Sequence, residues 1–197
     1  MERKVEKVRD ITRLLQHLQD PPTELVLLRS CLALPKIFFL LQTVNTTRHK
    51  CRLQEFDRIT REALIRILGS PVRDRAWQQA KLPVVMGGLG LRCAEDQAPA
   101  AYAASLLASQ PLTRSLQDRL HCGVDLDGIP GLPPHLLDAM SAAQGEEAKK
   151  DDLVGLTQRQ MVVKVDLHQQ KLLLQDISQE EVRKQARLAL VALPPFW

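Results

Sequence analysis

The segment WQQAKLPVVMGGLGLR, residues 77–92, decides the fold, because its residue types follow the order of a helix, a stop and a tight return. Trp77 is a large apolar anchor, and the Leu-Pro pair at 82–83 ends the helix because the residue before a proline avoids helical geometry. The glycines between 87 and 90 predict a turn with positive φ angles and close packing. Cys93 occupies the third small position of a dinucleotide-binding fingerprint and no βαβ pattern surrounds it, so we reject that function.

Upstream of this segment, apolar residues recur at three- and four-residue steps, which is the spacing of one helix face. The first such stripe predicts a helix that stops at Asp20, before two prolines; it consists of Val5, Val8, Ile11, Leu15 and Leu18. Thr23 is predicted to cap a second helix, with Glu24 in its first turn. Pro35 predicts a break or kink, after which residues 36–44 continue in a new direction.

A third long helix is predicted up to Leu68, with apolar residues on one face and arginines on the other. The apolar face comprises Leu53, Phe56, Thr60, Ala63, Leu64, Ile67 and Leu68, and the other face carries Arg52, Arg58, Arg61 and Arg66. Gly69 is predicted to end this helix as its C-terminal cap. The pair Ser70-Pro71 then reads as the N-cap and first residue of a short helix through Trp77.

Downstream of the glycine turn, the pattern remains helical but is interrupted by polar and Gly/Pro-rich stretches. We expect an alanine-rich helix over 94–109 that packs closely on its neighbours, a linker over 121–134 and a short helix over 136–143. A charged connector over 145–152 then precedes a hairpin of helices at 158–175 and 179–190. The predicted fold is an all-α irregular multi-helix bundle with a C-terminal helical hairpin, divided into 1–120, the linker 121–134, and 135–197.

Composition supports this fold class and an intracellular location, nuclear or cytoplasmic. The chain of 197 residues is 45% hydrophobic but only 4% aromatic, which suits helices packed through Leu, Val, Ile and Ala. We find neither a signal peptide nor an apolar run long enough to span a membrane. The cysteines are spaced singly, which favours buried thiols in a reducing compartment over disulfides or a zinc site; they are Cys31, Cys51, Cys93 and Cys122.

No residue pattern predicts catalysis, a metal site or a cofactor. Asp151 and Asp152 are adjacent carboxylates, but they lie in a polar connector rather than on the rigid strand or hairpin that a two-metal site needs. The five histidines are scattered, and no Ser, Cys or Thr has a neighbouring base in the sequence. We therefore predict a chain that is not an enzyme and that needs no cofactor.

Positive charge is concentrated in the first half of the chain. Residues 1–92 contain 17 Lys and Arg against 9 Asp and Glu, whereas residues 93–197 contain 10 against 14. The candidate nucleic-acid-binding residues lie at the start of the third helix and around the 77–92 segment; they are Arg48, Lys50, Arg52, Arg73, Arg75, Lys81 and Arg92. Guanidinium forks and backbone N–H groups at a helix start or glycine turn suit phosphate oxygens. The alternative is that these side chains are only the solvated faces of amphipathic helices.

Several segments together resemble one protein family. They are LLRSCLALPKIFFLLQTV (27–44), FDRITREAL (56–64), the 77–92 segment, APAAYAASL (98–106) and, more weakly, LTQRQM (156–161) and ARLAL (186–190). This series resembles the region that follows the catalytic palm in reverse transcriptases of eukaryotic non-LTR-like retroelements. The resemblance implies a helical thumb that grips the backbone of RNA or DNA. It also implies that the polymerase carboxylates belong to a palm, either missing here or carried by a separate partner chain.

A second hypothesis is a helical module that docks protein partners and has no nucleic-acid role. It rests on the tail LVALPPFW, residues 190–197, in which Phe196 and Trp197 follow two prolines. Aromatic residues at such a terminus could bind a partner, fold back on the body of the protein, or reflect a truncated reading frame.

Overall fold

The computed structural model describes residues 2–45, 49–120, 134–147 and 149–191, and within these ranges every regular element is a helix. The predicted all-α bundle is thereby confirmed. The α-helices are α1 (Glu2–Leu15), α2 (Pro21–Leu27), α3 (Leu34–Thr43), α4 (Lys50–Leu68), α5 (Asp74–Lys81), α6 (Ala94–Leu120), α7 (Pro134–Gln144), α8 (Lys150–Leu153) and α9 (Gln158–Val191). Short 3₁₀ turns occupy Gln16–Leu18 and Val84–Met86, and a π-helical turn occupies Leu28–Leu32.

The start of α2 differs from the sequence-based prediction by a few residues. The helix begins at Pro21 with Asp20 as its N-cap residue, and the hydroxyl of Thr23 donates to the Asp20 carboxylate instead of capping the helix itself. Proline is favourable here because the first N–H groups of a helix have no partner within it. The break expected near Pro35 occurs at Ala33, so that the proline lies in the first turn of α3.

Helix α4 ends as predicted, but the next helix begins later than Ser70-Pro71 suggested. Gly69 has a φ of 63° and its N–H donates to the Arg66 carbonyl, which is the expected glycine cap. The following residues stay extended because Arg61 donates to the Val72 carbonyl at 2.6 Å while the Val72 side chain is buried. Helix α5 therefore starts only at Asp74.

The glycine turn folds the chain back onto the end of α5. Gly87 and Gly90 have φ angles of 80° and 75°, which confirms the predicted positive φ. Gly88 serves the predicted close packing, because a Cβ atom there would lie 2.0 Å from the Leu82 carbonyl oxygen. The N–H groups of residues 89 and 91 both donate to the Ala80 carbonyl. These contacts fix the direction in which the chain enters α6.

The C-terminal helical hairpin predicted at 158–175 and 179–190 is wrong, because α9 is one continuous helix from Gln158 to Val191. This range contains no glycine or proline to break the helix. At the expected turn, the Ser178 hydroxyl donates to the Gln175 carbonyl within the same helix. Helix α6 is likewise longer than predicted, since it continues through Pro111 to Leu120.

Three apolar clusters hold the helices together. The first joins α1, α3, α4 and α6 around Phe56, and the second joins α1, α2, α4 and α5 around Trp77. Trp77 is buried, as its predicted role of core anchor requires. The third cluster joins α6 to α7, α8 and α9 through buried alanines of α6; it contains Ala100, Ala103, Ala104, Leu136, Met140, Leu153, Met161 and Val165.

The third cluster confirms that the alanine-rich helix packs closely on its neighbours, because small side chains let helices approach one another. It also connects residues on either side of the predicted linker. Residues 121–133 of that linker lie outside the described ranges, and Pro134 is the first residue of α7. Among the described residues, none of the helices combines the length and apolar character that a membrane crossing requires.

Candidate functional site

The first group of predicted basic residues surrounds the start of α4 and forms ion pairs within the chain. Arg48 lies outside the described residues. Lys50 Nζ lies 3.0 Å from Glu95 on α6, and the hydrogen bond and charge of that carboxylate raise the pKa of Lys50. Arg52 contacts Glu2 at 2.7 Å and Glu55 at 3.0 Å. Both cations are exposed, so these pairs are open to exchange with solvent ions.

The second group surrounds Trp77 and is divided between solvent and other helices. Arg73 is exposed and makes no ion pair with any residue that the structure describes. Arg75 pairs with Glu180 and lies 3.5 Å from Asp176, which ties α5 to α9. Lys81 lies 3.1 Å from Asp96 at the start of α6 and is largely buried.

Arg92 belongs to a polar contact between α6 and α9. Its Nε and Nη2 atoms donate to Asp166 Oδ2 at 3.1 and 2.8 Å, and Gln97 Nε2 donates to Asp166 Oδ1 at 3.0 Å. The Asp166 side chain is only 4% exposed. Burial raises its pKa, and the Arg92 guanidinium opposes that rise. The arrangement positions Arg92 for helix packing more than for contact with a ligand.

These ion pairs converge on the first turn of α6. Glu95, Asp96 and Gln97 are consecutive, and they contact Lys50, Lys81 and the Arg92–Asp166 pair respectively. Acidic residues are favourable at this position because the helix dipole is positive there. Of the predicted basic residues, Lys50, Lys81 and Arg92 are thus brought to the first turn of α6, where their contacts connect α4, α5 and α9 to that helix.

A buried carboxylate from α4 caps the same helix. Asp57 accepts hydrogen bonds from the backbone N–H of Ala94 at 2.7 Å and of Glu95 at 3.1 Å, and from the Cys93 thiol at 2.7 Å. Burial raises the pKa of Asp57 to about 6, and it raises the pKa of Cys93 well above its usual value. The three donors oppose the effect of burial on Asp57 but do not cancel it.

The prediction of buried cysteine thiols is confirmed for Cys93 and is wrong for Cys31 and Cys51. Cys93 is buried, whereas Cys31 and Cys51 are exposed, because the polar faces of their helices carry them outward. Cys122 lies outside the described residues. Within the four described ranges, no three His, Cys, Asp or Glu side chains come together as a metal site would require.

The sequence-based reasoning missed a groove between α1 and α4 that is lined by four arginines. The groove has a volume of about 360 Å³ and its arginines are Arg9, Arg13, Arg58 and Arg66. The sequence signal was present, because Arg9 and Arg13 are one turn apart on α1 and Arg58 and Arg66 are two turns apart on α4. Sequence alone could not show that these two rows face each other.

Charges in this groove are only partly balanced by the protein itself. Arg9 pairs with Glu55, and Arg58 pairs with Glu62 at 2.8 Å in an exposed position. Arg66 donates to the Thr12 carbonyl at 3.0 Å, and it meets no carboxylate among the described residues. Arg13 is exposed and likewise has no ion pair there. The groove therefore presents four guanidinium groups against two paired carboxylates.

Comparison with known proteins provides no further assignment: no family model matches the chain, and no curated protein or solved structure is detectably similar to it.

Proposed function

We propose that this chain is a non-catalytic helical module of the kind that follows the palm in retroelement reverse transcriptases, and that it binds the phosphate backbone of RNA or DNA. The observation that carries the proposal is the four-arginine groove between α1 and α4. Guanidinium groups suit phosphate because their planar fork donates two parallel hydrogen bonds and retains its charge at any physiological pH.

The unpaired arginines make the groove available to a polyanion. Arg13 has no carboxylate partner among the described residues, and Arg66 uses one of its donors on a backbone carbonyl. The pair between Arg58 and Glu62 is exposed on both sides. Exposed pairs of this kind contribute only about 0–1 kcal/mol, so a phosphate oxygen can replace the Glu62 carboxylate at little cost.

In this proposal, some of the basic residues predicted from the sequence stabilise the fold, and others contact phosphate. Arg75, Lys81 and Arg92 neutralise carboxylates on α6 and α9, and we expect their removal to affect stability before binding. Arg73 is exposed without an ion pair among the described residues and can extend the phosphate-binding surface. Contacts to phosphate fix position and carry no sequence information, so the groove itself is expected to tolerate any sequence.

A titration of a fluorescent RNA·DNA duplex, followed by anisotropy over a series of salt concentrations, tests the proposal. We expect binding in the micromolar range at about 50 mM salt, with an affinity that falls steeply as salt rises. The double change R13Q/R66Q should weaken binding and reduce the salt slope by about 1–2. A matched control is R159Q/K164Q, which removes two exposed charges from α9.

Two outcomes would contradict the proposal. One is the absence of binding by the unaltered chain at micromolar protein and low salt. The other is an R13Q/R66Q variant that binds like the α9 control, because the groove would then contribute nothing beyond net charge. Circular dichroism of each variant verifies that the helices remain folded.

The second candidate function, docking of a protein partner, is favoured by an exposed apolar stripe on α9. Val163, Leu167, Leu174 and Ile177 recur at helical spacing and are all exposed. The tail that first suggested this function, residues 192–197, lies outside the described ranges. A pull-down with the chain as bait tests this candidate. If the L167Q/L174Q variant no longer captures a protein partner that the R13Q/R66Q variant still captures, protein docking is favoured over nucleic-acid binding.

A further inference from the structure

Helix α9 carries a regular row of side chains on the side that points away from the body of the protein. The side that faces the body is buried at Met161, Val165 and Leu173. The outward row advances in alternating steps of four and three residues, which is the spacing of a coiled-coil seam. Its members are Val163, Leu167, Gln170, Leu174 and Ile177. The aliphatic members are 39–58% exposed, and we refer to the whole row as the α9 seam.

Opposite charges flank the two ends of the α9 seam. Arg159 lies one helical turn before its first residue, and Glu181 lies one turn after its last. Both residues are exposed, and the ion pairs that α9 forms among the described residues use other side chains of the helix. At a rise of about 1.5 Å per residue, the two charges stand about 33 Å apart along the helix. They are too distant to pair within one chain, and each is therefore available to a partner.

The α9 seam is nearly symmetric about Gln170. Val163 and Ile177 each lie seven residues from it. Leu167 and Leu174 lie three and four residues from it, and the two end charges, which differ in sign, each lie eleven residues away. A two-fold axis uses the same surface on both copies, so each residue must match the residue on the other side of the axis. Here an aliphatic side chain meets an aliphatic side chain, and a positive end meets a negative end.

We propose that the α9 seam binds a second copy of this chain, with the two α9 helices antiparallel and the two-fold axis at Gln170. The inference goes beyond nucleic-acid binding, and it names the partner for the surface on which the second candidate function rests. The Gln170 amide has donors and an acceptor, so the two copies can hydrogen-bond to each other at the axis. A glutamine in an otherwise apolar seam also fixes the register, because any shift would bury the amide against an aliphatic side chain.

Charge selects the antiparallel orientation. In this arrangement Arg159 of each copy faces Glu181 of the other, so the dimer contains two equivalent ion pairs. A parallel pair would place Arg159 against Arg159 and Glu181 against Glu181, and like charges across an interface are unfavourable. The contact extends over about 21 Å between Val163 and Ile177 and buries four aliphatic side chains per copy. This is a small interface, so we expect a reversible dimer in the micromolar range.

Sedimentation equilibrium of the purified full-length chain without nucleic acid tests the proposal. From about 5 µM to about 1 mM protein, the average mass should rise from 22.2 kDa toward twice that value. The change L167Q/L174Q should hold the mass at 22.2 kDa throughout. Both leucines are exposed, so the monomer is expected to remain folded, and circular dichroism verifies this.

Charge reversals test the antiparallel orientation. Arg159→Glu places a carboxylate against Glu181 of the other copy, and Glu181→Arg places a guanidinium against Arg159. Each change should raise the dissociation constant of the dimer about 5- to 30-fold, because exposed pairs contribute little individually and every dimer contains two. The double change R159E/E181R restores opposite charges and should restore the dimer. A mixture of the two single variants should also dimerise, since one copy is then negative at both ends and the other is positive.

Matched controls are Arg3→Glu and Glu6→Arg, which alter net charge equally at exposed positions of α1 and should leave the dissociation constant unchanged. A chain that stays monomeric at every concentration would overturn the inference without affecting the nucleic-acid titration or the capture of a different protein. Dimerisation that survives L167Q/L174Q would also overturn it, because another surface would be responsible. A double charge reversal that dimerises no better than the single ones would refute the antiparallel pairing.

Discussion

Replacement of Arg92 by Met is expected to destabilise the fold, although the sequence suggested this arginine as a ligand contact. In the structure, Arg92 donates to Asp166 through two nitrogen atoms, and the Asp166 side chain is only 4% exposed. Without the guanidinium, Asp166 retains a single donor, the Gln97 amide at 3.0 Å. A charge that is both buried and poorly paired strongly disfavours the folded state.

The expected loss follows from the exposure of the two partners. Removal of one member of a buried ion pair destabilises a protein by roughly 3–5 kcal/mol. Because the Arg92 side chain is 36% exposed and partly screened by water, the low end of this range applies, about 3 kcal/mol. For a chain of 197 residues, each kcal/mol shifts Tm by roughly 2–4 °C, so Arg92→Met should melt about 6–12 °C lower.

The double variant R92M/D166N isolates the cause. Asparagine can still accept a hydrogen bond from Gln97 and carries no charge, so we expect it to restore about half of the lost stability or more. The assay is urea unfolding at neutral pH, followed by far-UV circular dichroism. The reasoning is refuted if Arg92→Met is as stable as the unaltered chain, or if the double variant is less stable than the single one.

Two further predictions concern the start of α6 and the turn before it. Because burial raises the pKa of Asp57 from 3.8 to about 6, the folded state binds a proton more tightly than the unfolded state. As the pH rises from 3.8 to about 6, the free energy of unfolding should therefore fall by about 3 kcal/mol, and above that range it should level off. Asp57→Asn should remove this pH dependence. Urea unfolding midpoints measured across the range test both statements. Gly88→Ala should destabilise the chain by about 3 kcal/mol or more because its Cβ would lie 2.0 Å from the Leu82 carbonyl oxygen, a backbone atom. Gly87→Ala, with open space at its Cβ, should lose only about 1–2 kcal/mol from its positive φ; equal thermal melts of the two variants would contradict this argument.

Local signals were sufficient to predict the fold class and several helix ends. The buried positions Val5, Val8 and Leu15 of the α1 stripe occur as expected, and so do the glycine cap at Gly69 and the turn after Pro83, because each depends on neighbouring residues. Leu18, which the same stripe included, lies beyond the end of α1 and is exposed. The extended stretch before α5 could not be predicted, since it is held by Arg61, eleven residues before the carbonyl it contacts. The continuity of α9 could not be predicted, because the apolar pattern is weak at residues 176–178 and resembles a turn between two helices.

Candidate site residues were harder to predict, because the decisive contacts join residues distant in sequence. Arg92 and Asp166 are 74 positions apart, and Arg75 and Glu180 are 105 apart. The pattern of positive charge is the same whether such arginines face solvent or a carboxylate on another helix.

The ion pairs also change what the charge asymmetry of the sequence implies about binding. Acidic residues of the second half, such as Asp166 and Glu180, neutralise basic residues of the first half where α9 packs against the body. The cations in these contacts hold helices together. If one of them is replaced, a loss of affinity can therefore result either from a lost contact with the ligand or from partial unfolding. Arg13 carries no such contact with a described carboxylate, and Arg66 anchors only through one backbone carbonyl. Substitutions in the groove between α1 and α4 therefore provide the cleaner measurement, since a loss of affinity there with an unchanged melting temperature reports on the ligand alone.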